Sequence, residues 1–268
     1  MTGDGGRGLS DEVVAELAAE LAEADRTHTL MPRISVRHPT ATVADSYAVQ
    51  GVWSDQQRAT GRRMIGRKIG LTSKAMQAAT GITEPDYGVM FDDTVWQSGA
   101  SIPYESFSNV RVEVELAFVL SADLRGPDCT LADVLAACEY VTPALEVLNS
   151  HIELEGRTIV DTIADNAAYG AMVLGDNRTA VDAVDLRWVS ALLFRNDTIE
   201  ETGVAAGVLN HPANGVAWLA NKLHAHGAHL SAGEIILAGS FTRPMWVSRE
   251  DLVQCDYGPM GTITCRFD

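Results

Sequence analysis

Apolar positions in the first part of the chain recur at helical spacing. Val14, Leu17, Ala18 and Leu21 form one stripe between Ser10 and Asp25. Ser10 can cap that helix, and Asp11 and Glu12 suit the positive end of its dipole. After a polar, Pro-punctuated stretch from Thr27 to Pro39, a second helix is predicted from Thr42. Asp45 lies three positions on, and the pattern runs through Tyr47 and Trp53 towards Gly61. Beyond Gly61 the period shortens. Met64 to Leu71 reads as a strand with Lys68 inside it, Thr72-Ser73 caps a short helix from Lys74 to Ala79, and Glu84-Pro85-Asp86-Tyr87-Gly88 is a turn leading into Val89-Met90-Phe91.

The most informative stretch is Arg111 to Leu120. At period two, Val112, Val114, Leu116, Phe118 and Leu120 share one face, and the other carries Glu113 and Glu115 followed by Ala117 and Val119. A solvent face would stay polar, whereas this one turns apolar after two carboxylates. Two arrangements satisfy it: both glutamates point into a partly enclosed space, or the first half of the strand emerges into water. In the first, Cβ atoms roughly 7 Å apart hold two like charges that need a cation between them or a proton on one.

Downstream, Thr130 opens a helix with Asp133 at the reciprocal capping position, running through Leu135 to Cys138. Tyr140 to Leu148 is apolar apart from Thr142 and Glu146, and Pro143 predicts an edge or irregular strand. Asp161 to Asn166 reads as a polar loop before a strand from Ala171 to Leu174. Leu186 to Phe194 and Thr198 to Glu201 form a hairpin turning at Asn196-Asp197, and a helix with Pro212 in its first turn runs from Asn210 to about His226 and stops at Gly227. Ile235 to Ser240 is a buried strand. After a Gly258–Gly261 turn the chain closes on Thr262 to Phe267, with Ile263, Cys265 and Phe267 inward. Strands outnumber helices after Gly61 and few helices separate them, so the expected fold is α+β around a mixed β-sheet, not a doubly wound parallel one. The expected organisation is a flexible tail at 1–8, an N-terminal helical cap at 9–62 and a main domain at 63–268.

A net charge of −16 leaves no basic stripe for nucleic-acid phosphates, so a small anionic substrate would need a local cation. No apolar run reaches the length of a membrane span, and Met1 to Gly8 lacks the apolar core of a secretory signal. Cys129, Cys138, Cys255 and Cys265 have no metal-type spacing and read as reduced thiols. The expected compartment is the cytoplasm.

Dinucleotide, P-loop, GxSxG and HExxH signatures are all missing. His224, His226 and His229 sit at a helix end and the following turn, where side chains diverge. The carboxylates carry more. Glu113, Glu115 and Glu146 each lie inside an otherwise apolar strand, where an unpaired carboxylate is costly. Three oxygen donors without Cys or clustered His suit a hard cation such as Mg²⁺, and the alternative is that Glu146 pairs with an arginine, Arg111 for example. Lys68 is either a sheet-edge residue with its head in water or, beside the carboxylates, a substrate clamp or proton carrier. Asp86, taken alone, is a turn-former.

Several stretches together resemble the 2-oxo-alkenoate hydratases of the fumarylacetoacetase-like superfamily, the group of the 2-oxo-hept-4-ene-1,7-dioate and 2-keto-4-pentenoate hydratases. They are Lys68-Ile-Gly-Leu-Thr-Ser-Lys-Ala-Met-Gln77, Glu84-Pro-Asp-Tyr-Gly88, Val112-Glu-Val-Glu-Leu-Ala-Phe-Val-Leu120, the run from Glu201 to Asn221, and Gly239-Ser-Phe-Thr-Arg-Pro244. The resemblance covers about Ala41 to Phe267. It implies a fumarylacetoacetase C-terminal-like mixed-sheet fold of β-roll or sandwich type, a homo-oligomer, and Mg²⁺ or Mn²⁺ at Glu113, Glu115 and Glu146. Lys68 and Asp86 match the family's proposed acid/base pair. The implied activity is that of a lyase: water addition at C4 of a 2-oxo-alkenoate, foremost 2-oxo-hept-4-ene-1,7-dioate to 4-hydroxy-2-oxoheptanedioate in homoprotocatechuate breakdown. For the distal carboxylate of such a diacid the candidate is Arg243, with Asn166 and Ser240 as hydrogen-bond donors near the metal. The alternatives are a 2-hydroxypenta-2,4-dienoate hydratase, a 2-oxo-hex-3-enedioate decarboxylase, whose sequences carry an apolar residue where this chain has Asp86, an acylpyruvate hydrolase, and a non-catalytic binding protein on the same fold.

Overall fold

The computed structural model describes residues 6–74, 77, 82 and 84–268. The expected helix from Lys74 to Ala79 falls largely outside them, as does most of the expected tail. Gly8, at the end of that tail, donates its N–H to the Asp45 carboxylate.

Three helices lead the chain: α1 (Asp11–Thr27), α2 (Ile34–Arg37) and α3 (Val43–Ala59). Ser10 accepts from Val13 N at the start of α1, and Thr42 with Asp45 forms a complete capping box on α3. The α1 stripe, Val14, Leu17, Ala18 and Leu21, is buried as its spacing predicts. It packs with Val49, Trp53, Val89 and Phe91 into a hydrophobic cluster of its own.

The larger of two sheets contains β1 (Met64–Gly70), β2 (Asp86–Phe91), β3 (Val95–Gln97), β5 (Arg111–Leu120), β6 (Cys138–Leu148), β7 (Tyr169–Leu174) and β10 (Ile235–Leu237) in the order β2-β1-β10-β5-β6-β7-β3, with β11 (Met245–Trp246) pairing to the start of β5. The smaller sheet runs β4 (Ala100–Ile102), β13 (Thr262–Phe267), β12 (Leu252–Asp256), β8 (Ser190–Arg195), β9 (Thr198–Val204). Parallel β1–β10 pairing among antiparallel ladders makes the large sheet mixed, and the fold is α+β as expected. Val112, Val114, Leu116 and Phe118 bury one face of β5 in the main core with Ile263, Cys265 and Phe267 of the small sheet. The remaining helices are α4 (Leu131–Ala137), α5 (Ile159–Ala164) and α6 (Pro212–His224), the last capped by His211.

Four expectations need correction, the first being the turn at 84–88, since Asp86 already opens β2 and pairs with Gly70. β6 is an interior strand between β5 and β7, despite Pro143. Pro143 stands where β7 has just ended: its carbonyl accepts from Gly175 N (2.9 Å), and Thr142 Oγ1 donates to Gly175 O (3.1 Å), where no proline N–H can serve. Residues 161–166 are not a plain loop. Thr158 and Asp161 form a capping box that starts α5. The strand expected over 235–240 stops at Leu237, because Gly239 turns the chain at φ +115°.

Candidate metal-assisted active site

The unburdened face of the large sheet carries the chemistry. Antiparallel pairing sets Glu113 opposite Glu146, with Glu115 opposite Ala144. Two strands over, Lys68 lies level with Leu237 of β10, itself level with Ala117 of β5. Across β1, Gly70 pairs with Asp86 and Lys68 with Gly88. Directly paired residues share a face, so the pleat alone directs Lys68, Asp86 and the three glutamates to one side. Lys68, Asp86 and Glu113 line a pocket of about 290 Å³ together with Arg111, Arg157 and Ala168.

Glu115 and Glu146 are fully buried, and Glu113 is partly so. Each offers a carboxylate oxygen, and the three oxygens lie within 4.8 Å of one another. Glu115 Oε2 accepts from Gly239 N at 2.8 Å, whereas among the described residues Glu115 Oε1 and both Glu146 oxygens accept no hydrogen bond. Lys68 Nζ is 3.0 Å from Glu146 Oε1, an ion pair by distance without aligned hydrogen-bond geometry. It also replaces the alternative in which Glu146 pairs with Arg111. Carboxylate oxygens gathered from three residues, with those of Glu115 and Glu146 buried and short of donors, are what a hard divalent cation requires. The residues fit the ion. Gly239 is needed in this arrangement, since a Cβ there would stand 2.2 Å from Thr72 Oγ1.

The same crowding moves the proton equilibria. Burial, then the neighbouring charge of Glu146, pushes Glu113 up to about 7 and Glu115 well above the carboxylate range. Asp86 is also raised, by burial in excess of the opposing pull of Lys68. Burial alone would lower the Lys68 ammonium, but Glu146, Asp86 and Glu113 outweigh it and hold the group above its ordinary value. Lys68 is therefore cationic at neutral pH, beside an aspartate predisposed to keep a proton.

The structure brings Lys68, Asp86, Glu113, Glu115 and Glu146 together; of the three expected substrate contacts, Asn166 and Ser240 adjoin the site with their polar atoms engaged locally, and Arg243 points away from it. Asn166 has both ends of its amide engaged with Val89: Oδ1 accepts from Val89 N (2.8 Å) and Nδ2 donates to Val89 O (2.9 Å). It thereby holds Asn166, Ala167 and Ala168 at φ +47°, +53° and +60°, a left-handed run that non-glycine residues rarely adopt. Ser240 Oγ donates to Thr242 O and accepts from Thr242 N, closing a local turn. Arg243 projects outward, 77% exposed, and pairs with Glu201 at 2.9 Å. Its neighbour Pro244 lines the pocket instead.

Two pocket arginines were not anticipated as substrate contacts. Arg111 precedes Glu113 by two on the same strand face, a position legible in the sequence. Arg157 arrives from the segment before α5, and no local pattern marks it. Behind the pocket, His151 Nδ1 lies 2.8 Å from Asp165 Oδ1 and its Nε2 lies 3.2 Å from Asp25 Oδ1 of α1. Burial opposes the imidazolium, but these two carboxylates raise it to about 10.

Residues 62–268 match the model of the fumarylacetoacetate (FAA) hydrolase C-terminal family. The chain is 52% identical over 257 residues to an Escherichia coli 2-oxo-hept-4-ene-1,7-dioate hydratase, covering 94% of this chain and 96% of that one. It is 36% identical to a Paraburkholderia xenovorans 2-keto-4-pentenoate hydratase, with 94% of each covered. Among solved structures, the 4-oxalocrotonate decarboxylase of Pseudomonas putida G7, complexed with magnesium and adipate, superposes with a TM-score of 0.95 at 33% identity, covering 98% of this chain and all of that one.

Proposed function

The chain belongs to the fumarylacetoacetate hydrolase C-terminal family, and on that premise we propose that it is a divalent-metal-dependent hydro-lyase of 2-oxo-hept-4-ene-1,7-dioate, adding water at C4 to give 4-hydroxy-2-oxoheptanedioate. The observation that carries this is a cluster of three glutamates, one of which lines a pocket with Lys68 and Asp86, in a chain sharing half its residues with a hydratase of that substrate. A Mg²⁺ or Mn²⁺ ion held by Glu113, Glu115 and Glu146 would act as a Lewis acid toward the 2-oxo acid end of the substrate.

The protein's own groups then divide the proton work. The Lys68 ammonium, fixed by Glu146, donates toward the C2 oxygen as negative charge gathers there, a preorganised donor that strengthens in the transition state. Asp86, buried opposite Gly70, holds or releases a proton at a carboxyl oxygen that has no donor among the described residues, and so can move the substrate's double bond and orient the incoming water. Burial of both groups keeps bulk water from competing for these protons.

We propose the same division of the chain as its composition suggests: tail 1–8, cap 9–62, catalytic part 63–268, supported by the separate apolar cluster of the leading helices. Self-association is supported by Trp188, Ile199 and Trp246, each half or more exposed, and a reducing cytoplasmic setting by four unpaired cysteines.

The test is ultraviolet loss of conjugated substrate with and without EDTA, offering the seven-carbon diacid and five-carbon 2-hydroxypenta-2,4-dienoate side by side. Metal-dependent loss that favours the diacid and frees no CO₂ is the expected result. CO₂ release would assign a decarboxylase, and EDTA-insensitive turnover would remove the roles given to the glutamates.

A further inference from the structure

Arg111 and Arg157 are an unusual pair. Both line the active pocket, and both donate to the same acceptor, Ser150 Oγ, through Arg111 Nη2 and Arg157 Nη1 at 2.7 Å each. Ser150 is itself buried and pinned by Asn109, whose side chain accepts from Ser150 N and donates to Ser150 O. Two guanidiniums are thus held side by side by a neutral hydroxyl. Among the described residues no carboxylate pairs with Arg111; its remaining contacts are Asn109 Oδ1 at 3.3 Å and the Trp246 ring at 5.3 Å, and its buried Nε has no acceptor. Arg157 has Asp165 Oδ2 at 3.6 Å, but that oxygen already accepts from His151 N at 2.9 Å. Like charges are gathered in this way where an anion completes them.

Position identifies the anion. Glu115, Glu113 and Arg111 succeed one another on one face of β5, and same-face neighbours on a strand stand roughly 7 Å apart, about the length of an extended seven-carbon chain. Beyond Glu115 the face runs into buried Ala117, so along β5 a ligand held at the glutamates extends towards Arg111, which lines the pocket with Arg157. We propose that Arg111 and Arg157, positioned by Ser150, form the clamp for the distal carboxylate of a dicarboxylic 2-oxo acid, and so set the preference for diacids over monoacids. This rests on the hydratase assignment for its substrate class and takes the place of Arg243.

The test compares the affinity of the Mg²⁺-loaded protein for 2-oxoheptanedioate and for 2-oxoheptanoate, which lacks only the distal carboxylate, by calorimetry. Charge-assisted hydrogen bonds of this kind predict a diacid preference of about 30-fold or more in the wild type. Arg157→Met should collapse that preference to within about 3-fold, Arg157→Lys should leave an intermediate value because a charge without the fork remains, and Arg243→Ala should leave it intact. Thermal melts of each variant separate a binding defect from a folding one. Equal wild-type affinity for the two acids, a parallel loss of both in Arg157→Met and Arg157→Lys, or loss of the preference in Arg243→Ala would each overturn the clamp. A diacid preference that survives while no hydration occurs would instead fail the hydratase assignment and leave the clamp standing.

Discussion

Gly70→Ala separates catalysis from folding. Gly70 faces Asp86 across the β1–β2 ladder, and a Cβ on it would lie 2.2 Å from Asp86 Oδ1 and 3.4 Å from Lys68 Nζ. Real Cβ contacts stay beyond 3.0 Å, so the aspartate must retreat by about 1 Å. What yields is the end of a side chain, not backbone. Overpacking should therefore cost at most about 1–2 kcal/mol, partly offset by the lower backbone entropy of the unfolded alanine variant. For proton transfer the same shift is serious: a misplacement of about 1 Å can lower the rate by about 100-fold, or about 2.7 kcal/mol of barrier. The glutamates lie two and three strands away and should keep their metal. The assay is kcat/KM on the seven-carbon diacid, with Mg²⁺ affinity by calorimetry and Tm measured on the same preparation. Activity within about 3-fold of wild type would refute a role for Asp86 at its present position. A matching fall in Mg²⁺ affinity would show that the substitution acts through the glutamates instead.

Two further outcomes follow from the titrating groups. His151 has a folded-state pKa of about 10 against an ordinary 6.5; being raised, it contributes stability that is complete below about pH 6.5 and lost as pH climbs through 10, at most about 5 kcal/mol. Wild-type Tm should therefore fall between pH 7 and 10 while His151→Gln stays comparatively flat, and parallel profiles would contradict the clamp to Asp25 and Asp165. Because Glu113 is raised to about 7 and Glu115 further, an incoming ion must displace protons. Mg²⁺ affinity should rise with pH between about 6 and 8 at up to tenfold per unit for each proton released, and an affinity independent of pH would show that the glutamates are already ionised.

Legibility followed locality. The caps at Ser10 and Thr42 and the alternation along β5 are patterns within a few residues and are read correctly from the chain, whereas for the β5 carboxylates the strand pattern leaves an enclosed and a solvent-facing arrangement both open. Pro143 misled because its tolerance depends on where β7 ends, some thirty positions on. Arg243 looked like an anchor by its place after a buried strand, yet the turn closed by Ser240 and Thr242 directs it outward to Glu201. Arg157 and Arg111 converge on Ser150, itself held by Asn109, a relation between separate segments that no spacing encodes. The short strands β3, β4 and β11 carry too few residues for a period to register.

β10 is the wedge of this architecture. It contributes three residues, pairing on one edge with β1 and on the other with β5, so that Lys68 and the glutamates are neighbours only through a strand made nearly 170 positions after Lys68. During synthesis, the β5–β6 hairpin can close soon after residue 148 emerges, while the lysine side of the site waits for residues 235–237. A nascent chain released earlier would hold three carboxylates with no ammonium beside them and an open strand edge on β5, exposed to pairing with other chains. The late arrival of a three-residue strand makes the protein's order of assembly a race between closing its own seam and finding another's.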